Sequence, residues 1–171
     1  MKKLFLTLAA LFTISFAGFA DTTLAEAYTG LSKLSGMNEQ TVNKVMIDNN
    51  NSISNVKVAT VYANESNVQN YRDNFIYMME NLPMRNMVIG ANNMRELASV
   101  YSTPAGGGMY NVLIIKGNTL DGNFTVSYGQ TNAAGIKAMR NSQVTMDANE
   151  LVLAPAPQTS PADSFITMGD E

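Results

Sequence analysis

Tyr110-Asn111-Val112-Leu113-Ile114-Ile115-Lys116 and Phe124-Thr125-Val126-Ser127-Tyr128-Gly129 are the two stretches that decide the fold. The first is apolar at successive positions, as in a central strand buried on both faces. The second alternates. Phe124, Val126 and Tyr128 make one side, Thr125, Ser127 and Gly129 the other, so a strand with one core face and one wet face is expected. Residues 117–123 lie between the two as a turn, and a short turn joins antiparallel neighbours.

Further strands flank this pair. Residues 56–62 are rich in β-branched side chains. Residues 87–89 form a short strand. Residues 96–102 admit two patterns, because Met94, Leu97, Ala98 and Tyr101 also fall at helical spacing. The strand is preferred, since it leaves 90–93 and 104–108 as ordinary hairpin loops. Residues 144–146 and 151–153 are two more short strand candidates.

Helices are expected between them. Thr23-Leu24-Ala25-Glu26 fits a capping box, and Leu24, Tyr28, Leu31 and Leu34 follow on one stripe, which Gly36 can end. Asn38 opens a short second helix carrying Val42, Val45 and Met46, stopped at Asp48-Asn49-Asn50-Asn51. The clearest helix begins at Ser66 or Asn67, repeats through Val68, Tyr71, Phe75, Met78 and Leu82, and closes at Pro83. A last helix spans 131–140, with Ile136 and Met139 inward.

These elements predict one α+β domain over residues 21–153: an antiparallel sheet of about five strands with helices packed on one face. Residues 1–20 read as a cleavable signal peptide. Lys2-Lys3 precedes an apolar run over 4–16, and Gly18 and Ala20 supply the small residues of a cleavage site. Residues 154–171, with Pro155, Pro157 and Pro161 among small polar side chains, read as a mobile tail. The expected location is periplasmic or secreted, with no transmembrane segment in the mature chain.

Composition then excludes whole classes of chemistry. The 171 residues contain no cysteine and no histidine. No disulfide framework is available, nor any Ser-His-Asp or Cys-His nucleophile, and the common zinc sites lose their ligands. Removing Lys2 and Lys3 from the 11 basic side chains leaves 9 against 14 acidic, a net charge of −5. That balance argues against nucleic acid as a partner.

Several short motifs remain. Ser54-Asn55-Val56-Lys57 matches the S-x-x-K of histidine-free serine enzymes. Those place the pair one helical turn apart, whereas a regular strand sends positions i and i+3 to opposite faces. The companion S-D-N and K-T-G motifs are missing. Asp48, Asn50, Ser52 and Ser54 imitate the odd ligands of a calcium loop, but Ile53 and Ala59 stand where its glycine and glutamate belong. Gly106-Gly107-Gly108 precedes a strand, so it suits a hairpin loop better than a phosphate cradle. Met78, Met79, Met84, Met87 and Met94 cluster closely. Clustered thioethers can take Cu(I); adaptable core packing or an apolar binding surface is the expectation here. Glu65, Asp73, Glu80, Glu96, Asp121, Asp147 and Glu150 are the carboxylates available for acid–base work. No catalytic, cofactor or metal residue is assigned.

Asp21-Thr22-Thr23 resembles the short O-glycosylation signal of exported Bacteroidetes proteins, and also suits a helix N-terminus. The order of elements over residues 37–140 resembles small exported Bacteroidetes proteins of a domain-of-unknown-function family. It rests on Val45-Met46, the 56–62 strand, the helix over 75–82, the strands at 110–116 and 123–129, and the segment 133–139. The resemblance implies no catalytic residues. The expected role is a non-catalytic envelope protein that binds an unknown protein partner or envelope ligand. The alternative is a carboxylate-dependent hydrolase resembling glycoside hydrolases.

Overall fold

The computed structural model describes residues 22–141. The expected signal peptide, the strand candidates at 144–146 and 151–153, and the tail lie outside these residues. The order is α1 (Leu24–Ser32), β1 (Asn38–Met46), β2 (Ser52–Tyr62), α2 (Val68–Glu80), a 3₁₀ turn at Met84–Asn86, β3 (Met87–Asn92), β4 (Glu96–Gly106), β5 (Met109–Asn118), β6 (Asn123–Asn132) and α3 (Ala133–Asn141). Six strands, one more than expected, form an antiparallel sheet in the order β1-β2-β6-β5-β4-β3. The chain leaves β2, runs through α2 to the far edge, and returns as a meander that closes against β2.

The extra strand is β1, where a helix was expected. The Asp48–Asn51 stretch does not cap a helix. Asp48 Oδ1 accepts from the backbone N–H of Asn50 at 2.8 Å and of Asn51 at 2.7 Å, and this Asx geometry folds β1 back on β2. The helical spacing of Val42 and Val45 has a different cause. The β2–β6 register shifts between Ser54 and Lys57, and Asn55 there takes a positive φ of 52°. This bulge lets Ile53 and Val56, three residues apart, both join the core on the second face of the sheet. Their β1 partners Val45 and Val42 follow them.

Other loops shorten in the same way. β4 and β5 run to Gly106 and from Met109, so the turn is Gly107-Gly108 alone, with φ of +58° and +74°. Positive φ at both central residues is what a tight hairpin turn requires. β3 extends to Asn92, and Asn93 closes the next turn through its N–H to Glu96 O at 2.8 Å.

Two cores result. On one face, α1 and α2 pack over Ala59, Val61, Leu97, Tyr101, Leu113, Ile115, Phe124 and Val126. The capping box of α1 is present as expected. Phe124 sits at the centre, its ring centroid 5.9 Å from that of Tyr71 and 5.3 Å from that of Phe75. On the other face, Ile136 and Met139 of α3 pack with Val45, Ile53, Val56, Val58, Ile89, Val100, Val112 and Ile114. α3 is capped by Asn132, whose Oδ1 accepts from Gly135 N–H at 2.9 Å. The wet face expected for β6 is therefore largely closed: Thr125 and Ser127 are buried.

Gly117 lies opposite Phe124 across β5–β6, and a Cβ there would stand 2.6 Å from Phe124 Cδ1. Gly117→Ala is expected to destabilise by about 1–3 kcal/mol through overpacking. Phe124→Ala is expected to cost about 3–5 kcal/mol. Denaturant midpoints measure both; wild-type stability in Gly117→Ala would show that the ring has room to move.

Candidate functional site

Four of the five clustered methionines converge. Met79 from α2, Met84 from the 3₁₀ turn, Met87 from β3 and Met94 from the β3–β4 turn line one groove of about 650 Å³. Ile76, Leu97 and Tyr101 line it too, with Arg72, Glu80, Asn92 and Asn93 among its polar residues. Met78 does not take part, being buried in the core under α1 and α2. The groove exists because α2 crosses one face of the sheet beside its last strand.

The turn that carries Met94 is anchored. Asn93 Oδ1 accepts from the N–H groups of Arg95 and Glu96, both at 2.8 Å. Arg72 Nε donates to Met94 O at 3.2 Å and ties this turn to α2. Met94 is nonetheless 85% exposed and Met84 71%. Core packing accounts for Met78 and Met79, which are buried, and does not account for these two.

The groove adjoins an edge of the sheet. Among the described residues no strand pairs with the outer side of β3. The two edges differ in protection. β1 carries Glu39 and Lys44, the kind of charge that discourages strand pairing. β3 reads Met-Val-Ile-Gly-Ala-Asn and carries no charge.

The remaining sequence candidates scatter. The bulge at Asn55 returns Ser54 and Lys57 to one face, opposite Gln130 and Tyr128, so their spacing in a regular strand was the wrong ground for separating them. Ser54 Oγ donates to Gln130 O at 3.2 Å. In the calcium-like stretch, Asp48 Oδ2 also accepts from Asn51 Nδ2 at 2.8 Å. The Asn51 amide, and then the Asn50 N–H, hold this carboxyl below its ordinary range. Asp48 thus closes a hairpin. Gly107-Gly108 is a turn with open space around it. Glu65, Asp73, Glu80, Glu96 and Asp121 are all exposed. Asp147 and Glu150 lie outside the described residues. Among the described residues no three Asp or Glu gather as a metal site. Thr22, within the glycosylation-like stretch, is buried.

A second, smaller cavity of about 340 Å³ sits at the start of α1, between Thr22, Arg85, Asn86, Thr103 and Tyr128. The carboxylate of Glu26 already takes the N–H and hydroxyl of Thr23 there, at 2.9 and 2.8 Å.

One buried ionisable group falls within the run read as a strand buried on both faces. Lys116 ends the apolar run of β5 and is buried on the second face, in register with Thr125, which in turn meets Thr60 at 3.1 Å. Burial pushes its ammonium down to about 8. None of the cavities described is lined by it.

No family model, curated protein or solved structure matches this chain. No helix among the described residues is long and apolar enough to cross a membrane.

Lys116 makes a pH prediction. Its folded value of about 8 lies below the roughly 10.4 of an unfolded lysine. Between those limits the unfolded chain binds more protons, so this group's contribution to stability rises with pH. Its penalty is full below pH 8 and relieved towards pH 10. The stability of Lys116→Met relative to wild type should therefore be most favourable at pH 7 and decline by pH 10. Parallel denaturation curves at the two pH values test this; a difference that grows with pH would refute it.

Proposed function

We propose that this chain is an exported, non-catalytic protein that binds a partner protein. It takes an extended, uncharged segment of that partner along β3, with the segment's apolar side chains in the methionine-lined groove. The observation that carries this is the coincidence of an uncharged open edge with an anchored apolar groove. Strand addition uses those two elements together. Main-chain hydrogen bonds along the edge supply affinity, and alternate side chains in the groove supply selectivity. Methionine suits such a surface because its unbranched thioether adapts to different shapes.

Export is supported by the basic, apolar and small-residue order of residues 1–20. The non-catalytic part is supported by the chemistry left to the chain. With neither His nor Cys, acid–base work falls mainly to carboxylates, and a general acid needs a buried carboxyl with a raised pKa. The five described candidates are exposed. No observation favours the hydrolase over this reading.

The test is site-specific crosslinking from position 94, with position 62 as control. Tyr62 is equally open, at 77% exposure, but lies on β2 away from the groove. The partner should crosslink from 94 only. Met84→Glu with Met94→Glu, both at exposed sites, should leave the fold intact and weaken partner binding by more than about tenfold, since each buries an unpaired charge on docking. Equal capture from both positions, or an unaffected double variant, overturns the docking site. Hydrolysis of a glycan by the purified chain that vanishes with Glu80→Gln or Asp73→Asn overturns the non-catalytic reading.

A further inference from the structure

The same groove gathers four methionines, among them Met84 and Met94, the two most exposed of the described residues' methionines, and this points beyond partner docking. The N–H of Met87, the first residue of β3, bonds Met84 O and closes the 3₁₀ turn. Met84 and Met87 both line the groove. The Met87 thioether lies against the backbone of Gly90, where a Cβ would stand only 2.7 Å from its sulfur. A side chain at position 90 would displace it. Met94 comes from the anchored turn on the other wall, and Met79 rises from α2. Four thioethers on four separate segments thus share one open groove.

We propose that this groove is a binding site for a soft monovalent cation, Cu(I) or its closed-shell analogue Ag(I), with Met84, Met87 and Met94 as thioether ligands and Met79 beside them. Thioether sulfur selects Cu(I) over harder ions. The chain has no thiolate or imidazole to compete for the metal. The proposal accounts for two observations that packing leaves over: the exposure of Met84 and Met94, and the hydrogen bonds that hold the turn of Met94 while its side chain stays in solvent. The site binds the ion in its reduced state, and no electron transfer is involved.

The experiment titrates the purified chain with Cu(I) under anaerobic conditions, against a chromogenic Cu(I) chelator, and follows the methionine methyl groups by NMR. One Cu(I) per chain is expected. The methyl signals of Met84, Met87 and Met94 should shift, while that of Met46, exposed but outside the groove, should not. Leucine keeps the bulk and removes the sulfur. Met84→Leu and Met94→Leu, each at an exposed position, should weaken Cu(I) by more than about tenfold, at least the loss typical of outer-shell changes at metal sites. Met46→Leu should leave the affinity unchanged. Unfolding curves confirm that the variants fold. Binding no tighter than that of free methionine, or undiminished binding in a Met84, Met87 and Met94 triple leucine variant, overturns the site. Metal binding is read without the partner and crosslinking without the metal, so each proposal fails on its own measurement.

Discussion

The ring of Phe124 is held against Tyr71 and Phe75 of α2 on one side and the bare backbone of Gly117 on the other. Much of the molecule depends on this contact. It fixes the height of α2 over the middle of the sheet. α2 in turn carries the chain from β2 to the opposite edge, so its seat determines where β3 and the meander begin. Tyr71 extends the same link to the end of α1 by donating its hydroxyl to Ser35 O. Aromatic rings at such separations add about 0.5–1.5 kcal/mol beyond their buried area. That is a large share of the marginal stability of a small domain.

A sheet of six strands with apolar side chains on both faces needs cover on both. Among the described residues α1 and α2 supply it on one side, and α3 alone on the other. Nine residues of helix cover less than α1 and α2 together, and polar groups accompany the apolar ones on that second face. Thr60 and Thr125 answer one another, Thr131 Oγ1 donates to Ser52 O at 2.7 Å, and Lys116 is held where its charge is disfavoured. Among the described residues the second core is thus both smaller and more polar than the first.

The two edges of the sheet differ in charge. β1 is guarded by charge and ends in an Asx turn that satisfies Asp48 locally. β3 is unguarded, and α2 stands beside it at a distance that leaves a groove. An edge of that composition invites pairing. The anchoring of the Met94 turn by Arg72 makes the groove a shaped surface with fixed walls.

Local chemistry made much of the fold legible in the chain alone. The capping box of α1, the stripe and closing proline of α2, the two-faced run of β5 and the alternation of β6 each depend on near neighbours, and each element stands where its pattern placed it. The strand preferred over 96–102 did too, because glycine and asparagine turns on either side left little room for a helix. Three matters were not legible. Val42 and Val45 have helical spacing, yet they sit on a strand, since a bulge at Asn55 in the neighbouring strand changes which positions share a face. Thr125 and Ser127 look solvent-facing, yet they are buried, since only tertiary packing puts cover on the second face. The methionines stood out as a cluster from the start. Which of them belong to the core and which to a groove was settled by the path of α2 across the sheet, a long-range fact that no local spacing encodes.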